Sequence, residues 1–111
     1  MAERESLFAA LDLIAAERKR QVEQENWTLE HDDFHRSGGL AKAAAVYALP
    51  DEQRELRLIA HGLSRQPFAI REWLWPWDDE WFKPTPEDRE RELVKAGALI
   101  VAEIERLRRA S

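Results

Sequence analysis

The sequence contains no cysteine. Disulfides, thiol nucleophiles and cysteine-based zinc sites are thereby excluded, and the absence fits a reducing compartment such as the cytoplasm. No apolar run comes near the roughly 20 residues that span a bilayer. Residues 1–6 also lack the basic-then-apolar start of a secretory leader, so no membrane partner is expected. Excess positive charge is missing too: 17 Lys and Arg stand against 22 Asp and Glu, for a net charge of −5. Nucleic acid is therefore a poor partner, since sequence-blind grip on it depends on neutralising phosphates with cations. No stretch alternates apolar and polar residues long enough to predict a strand.

What is present points to one small helical domain. The chain has 111 residues, 44% of them hydrophobic and 35% charged, with five Trp and four Phe, the reverse of a disordered composition. A first helix is predicted over residues 5–25, with Leu7, Leu11, Ile14 and Val22 on one stripe and Phe8 and Ala15 beside it. Ser37 or Gly38 is placed to cap an alanine-rich helix over residues 40–49, with Leu40, Ala44 and Tyr47 on one face and Pro50 as its end. Asp51 is placed to cap a short helix carrying Leu56, Ile59, Ala60 and Leu63 and closed near Gly62. The last helix should begin with Thr85 as cap and Pro86 at its first helical position. Its core stripe is read as Leu93, Gly97, Ile100, Ile104 and Leu107. The fold class expected is all-α: a single domain over residues 1–111, a bundle of three to four helices with long terminal helices and a Trp/Pro-rich irregular loop. Two irregular segments, 26–39 and 64–84, join the helices and have the length at which loops are usually functional.

Four features carry candidate chemistry. His31-Asp32-Asp33-Phe34-His35 sets two imidazoles four residues apart beside carboxylates, an echo of the zinc-protease helix that lacks its Glu and a third ligand. A metal on His31 and His35, with His61 as the nearest further imidazole in the sequence, would make the chain a metal-dependent hydrolase. The pairs Glu52/Glu55 and Glu30/Asp33 match the two halves of a magnesium-dependent pyrophosphohydrolase signature, but in the wrong order. Trp73, Trp75, Trp77 and Trp81 fall within nine residues, more indole than a 13.0 kDa core takes in without crowding. Indole faces stack bases, and the cations to hold a phosphate would come from Arg18, Arg20, Arg71 or Lys83. Finally, Arg18, Gln21 and Glu25 share one helix face just before Trp27 and the His/Asp turn.

These residues resemble a small family of phage- and prophage-encoded proteins of unassigned function. The shared pattern is Glu17-Arg18-x-Arg20-Gln21, Trp27, His31-Asp32-Asp33-x-His35, Gly39 to Ala48, Trp75-Pro76-Trp77, Trp81-x-Lys83-Pro84 and Leu93 to Leu107. A second, weaker similarity is to ryanodine-receptor-type domains, short helical modules in which Trp27, Asp32, Asp33 and His35 would correspond. That likeness implies a small-ligand or nucleotide-binding module. The phage likeness implies action in the cytoplasm of a host cell.

The expectation is thus a non-enzymatic binding protein for a nucleotide, cyclic nucleotide or ADP-ribose-type signal, serving as a phage counter-defence sponge, with no cofactor. Its site would draw on Arg18, Gln21, Trp27, His31, Asp32, Asp33, His35, Trp75, Trp77, Trp81 and Lys83, converging on one pocket. The rival from another class is an adaptor that inhibits a host protein through the Trp-rich loop. A homo-oligomer built on the alanine-rich helix or on the tryptophans is also expected.

Overall fold

A computed structural model describes residues 2–24, 38–59 and 67–110. Within them the fold is all-α, with two long helices at the ends. Helix α1 (Ala2–Gln24) is followed by α2 (Gly39–Ala48) and a single turn α3 (Asp51–Arg54). Strands β1 (Arg57–Leu58) and β2 (Phe68–Ala69) then pair antiparallel, Arg57 opposite Ala69 and Leu58 opposite Phe68. Helix α4 (Ile70–Leu74), a 3₁₀ turn (Asp79–Trp81) and the long helix α5 (Arg89–Ala110) complete the chain. Trp27, His31, Asp32, Asp33, His35 and His61 lie outside the described residues, as does Glu30.

Two helical predictions change in detail. The short helix after Pro50 stops at Arg54 instead of continuing through Leu56 and Ile59, because Leu56 turns back to accept from the Ile70 N–H at 2.9 Å and opens the two-residue ladder. Alternation could not reveal a strand pair of two residues each. Asp88, not Thr85, caps α5: its Oδ1 accepts from the Arg91 N–H at 3.1 Å. The Thr85 N–H is used elsewhere, donating to Glu92 Oε2 at 3.0 Å. Gly38 does precede α2, with φ of +84°, a conformation that glycine adopts without the Cβ penalty.

The core lies between α2 and α5. Leu40, Ala43, Ala44, Val46 and Tyr47 of α2 meet Ala96, Leu99 and Ala102 of α5, and Trp75 closes one end with Leu74, Trp77 and Phe82 packed around it. Alanine on both sides lets the two backbones approach closely. The polar groups left by this packing are tied off by arginines. Arg89 Nη1 donates to the Tyr47 and Leu49 carbonyls, each at 3.0 Å, and Nη2 to that of Ala48, so the first residue of α5 closes the C-terminal end of α2.

Helix α1 lies across α5, not along it. Glu17 pairs with Arg91 at 2.7 Å, whereas its neighbour Arg18 pairs with Glu105 at 2.8 Å. Those two partners are about 21 Å apart along α5 at the helical rise. The crossing point is Gly97, where an added Cβ would stand 2.8 Å from Ile14 Cδ1 and 3.0 Å from Cγ1. Gly97→Val should therefore destabilise by about 1–3 kcal/mol through overpacking, although leaving glycine favours a helix. The urea midpoint should fall with the slope unchanged.

The crossing also corrects the expected core stripes. Leu7 is 57% exposed and Ile104 51%, with Leu11, Leu93, Ile100 and Leu107 close to these values. The buried residues are Glu17, Arg18 and Gln21 on α1 and Glu92, Ala96, Ala98, Leu99 and Ala102 on α5. Apart from Leu99, small residues and paired polar side chains, not the large aliphatics of the predicted stripes, face the interior.

Candidate functional site

The C-terminal half of α1 brings Glu17, Arg20 and Gln21 to one wall of a recess. Its other walls are Tyr47 of α2, Trp81 and Lys83 of the loop before α5, and Lys95 of α5. The cavity between them is about 20 Å³, room for about one water, so a larger guest would sit at its mouth or require Trp81 and the lysine side chains to swing aside.

Glu17 organises the first wall. It is buried, and it accepts from Arg20 Nε and Nη2, both at 2.8 Å, from Gln21 Nε2 at 3.1 Å and from Arg91. Burial alone would raise its pKa, but the hydrogen bonds from Arg20 and Arg91 and their charges outweigh that and hold the carboxyl below its ordinary value near 4.5. A carboxylate so fully engaged is a bracket, not a base. It fixes the amide of Gln21 with its nitrogen inward, leaving Gln21 Oε1 buried and accepting no hydrogen bond among the described residues.

The opposite wall is held by Tyr47. Its hydroxyl accepts from the Lys83 N–H at 3.0 Å, and the Lys83 carbonyl accepts from Lys95 Nζ at 2.7 Å, with that ammonium 5.5 Å from the Tyr47 ring centre. Trp81 sits on the 3₁₀ turn, its N–H bonded to the Asp78 carbonyl at 3.0 Å, and its side chain is 46% exposed. The lining thus sets Arg20, Lys83 and Lys95 against Glu17 alone. On a chain of net charge −5, this is a local reversal of sign beside an aromatic face. Cationic donors of this kind bond anions, and an indole face stacks flat rings. No Ser or Thr hydroxyl and no second carboxylate lines it.

Of the residues expected to form one site, the structure brings Gln21, Trp81 and Lys83 together. Arg18 shares the helix face of Gln21 but turns to Glu105. Trp75 is a core residue and Trp77 packs edge-on against it, ring centres 5.4 Å apart, so both support the loop from inside. Trp27 and the whole His31–His35 turn lie outside the described residues. Among the described residues no three His, Asp or Glu side chains gather as metal ligands. Glu55 of the Glu52/Glu55 pair is engaged by Arg71 at 3.0 Å. Sequence reasoning missed Tyr47 and Lys95. Tyr47 reads as a core residue, yet its hydroxyl demanded a partner and so marked a core edge. Lys95 carried no such signal.

No helix among the described residues is long and apolar enough to cross a membrane. No protein-family description, no curated protein and no solved structure matches this chain.

Proposed function

We propose that the chain is a non-enzymatic binding protein for a small anionic ligand carrying a flat ring, of the nucleotide class, held in the recess between α1, Tyr47 and the loop at Trp81. The observation that carries this reading is the meeting of Trp81 with Arg20, Lys83 and Lys95 in one recess. An exposed indole supplies a stacking face worth about 1–3 kcal/mol per base. The cations supply charge-assisted bonds to phosphate. With the resemblance to phage proteins, such a module would sequester a host signalling nucleotide without consuming it.

The test is a thermal-shift titration against mononucleotides, cyclic dinucleotides and ADP-ribose. Wild type should gain about 2.7 kcal/mol of apparent stability at a hundredfold excess over Kd. Trp81→Ala and Lys83→Ala should abolish the gain, and Trp73→Ala should keep it. No shift with any member at millimolar concentration would overturn the proposal.

The adaptor reading also has one observation in its favour. Trp73 is 64% exposed and stands against Phe68, ring centres 6.5 Å apart, with Leu58 opposite Phe68 in the ladder. If a host protein is the partner, Trp73 would anchor it in place of Trp75 and Trp77, which the core has taken up.

A further inference from the structure

Helix α1 is built as though half of it belonged to another subunit. Leu7, Leu11, Ile14, Arg18 and Gln21 form one continuous stripe at four- and three-residue steps, the seam of helix-to-helix packing. From Ile14 onward that stripe lies on the chain's own α5. Before Ile14 it runs past the edge of the subunit, and every residue from 2 to 13 is exposed, Leu7, Phe8 and Leu11 included. Helix α5 shows the complementary condition. Its stripe at Gly97 is covered by α1, while Ile100, Ile104 and Leu107 on the same stripe are about half exposed.

We propose that a second copy of the chain covers both, in a two-fold dimer where each α1 lies across its own α5 at Gly97 and across the partner's α5 near residue 104. The distances fit. Leu7 precedes Ile14 by seven residues, about 10.5 Å along α1, which is one interaxial spacing between packed helices. Ile104 follows Gly97 by the same seven residues along α5. With α1 crossing α5 steeply, two α5 helices running antiparallel side by side therefore bring Leu7 of each chain over residue 104 of the other. The two α1 helices then lie antiparallel in a second layer, with Phe8 and Leu11 between them. The contact is isologous and closes on itself.

Charge favours the same occupant. The first turn of α1 carries Glu3 and Glu5, and the last turn of α5 carries Arg108 and Arg109, so the crossing sets opposite signs near each other across the two-fold axis. On the alanine-rich helix, Ala43 and Ala44 are already buried in the core.

Light scattering should give twice 13.0 kDa for the wild type at about 100 μM. Leu7→Glu with Leu11→Glu should be monomeric with helix content retained, since both side chains are exposed within one subunit. Arg108→Glu with Arg109→Glu should raise the dimer Kd at least about tenfold at low salt, and Glu3→Arg with Glu5→Arg in the same chain should restore it. The cysteine-free background permits a direct check of register. Oxidising a mixture of Leu7→Cys chains and Ile104→Cys chains should give a cross-linked pair containing one of each, and either variant alone should give little. A monomeric wild type, a dimeric Leu7→Glu/Leu11→Glu variant, or cross-linking as strong with Leu7→Cys alone as in the mixture would each overturn the arrangement.

Discussion

Glu92→Ala should lower stability by about 3–5 kcal/mol, enough to reduce Tm by on the order of 15 °C in a domain of this size. Glu92 is fully buried, and its carboxylate holds three separate pieces of chain. It accepts from Arg54 Nη2 of α3 at 2.8 Å, from Arg89 Nη1 at 3.1 Å and from the Thr85 N–H at 3.0 Å. Arg54 is fully buried as well and donates onward to the Val46 carbonyl at 3.4 Å and to Asp51 Oδ1 at 3.2 Å. Removing the carboxylate leaves a guanidinium in the interior with no counter-charge of comparable burial, and that uncompensated ion is the source of the cost. Glu92→Gln should cost less, because an amide oxygen still accepts. Arg54→Met combined with Glu92→Leu should recover part of the loss, since an apolar pair of similar volume needs no counter-ion. Burial by itself would raise the Glu92 pKa, but the hydrogen bonds from Arg54 and Arg89 outweigh it and hold the carboxyl below its ordinary value near 4.5. A depressed pKa in the folded state stabilises above the unfolded value and is lost as pH falls through the folded one. The stability gap between wild type and Glu92→Gln should therefore be constant from pH 7 to about 5 and close in acid below 4.5.

How far the sequence spoke depended on what each signal was made of. Helix α2 was legible because small residues, a preceding glycine and a following proline all agree on one element. The long terminal helices were legible as helices, but their inward faces were not. Large aliphatics at heptad spacing advertise a seam without saying whose surface fills it, and here Ile104 and Leu7 point away from the subunit's own core. What the interior takes instead, Glu17, Arg18, Gln21, Arg54 and Glu92, reads as solvated surface until its partners are known, and those partners are 87 residues apart for Arg18 and Glu105. The recess was half legible for the same reason. Gln21, Trp81 and Lys83 drew notice as residue types, whereas Lys95 joins them only because α5 packs on α2 beneath Tyr47. A ladder of two residues per strand leaves no periodicity to read.

The four clustered tryptophans should separate sharply when each is replaced by alanine, and Trp75→Ala should be the severe one, at about 3–5 kcal/mol. Its indole meets Tyr47 edge-on at 5.6 Å, Trp77 edge-on at 5.4 Å and Phe82 at 5.0 Å, and its Nε1–H donates to the Asp78 carbonyl at 3.1 Å. That carbonyl also begins the 3₁₀ turn that carries Trp81. Trp75 therefore does two things at once: it fills the end of the core, and it pins the loop that presents the recess. Trp77, half-buried on the outer side of Trp75, should cost less. Trp73, the most exposed, should fall within about 0.5 kcal/mol of wild type. Trp81→Ala should change stability little while removing the ligand-dependent shift, because its side chain is spent on the recess and not on the core. A denaturation series on the four variants checks the order directly. If Trp81→Ala proved as damaging as Trp75→Ala, the indole would be a packing residue, and the recess would lose its stacking face.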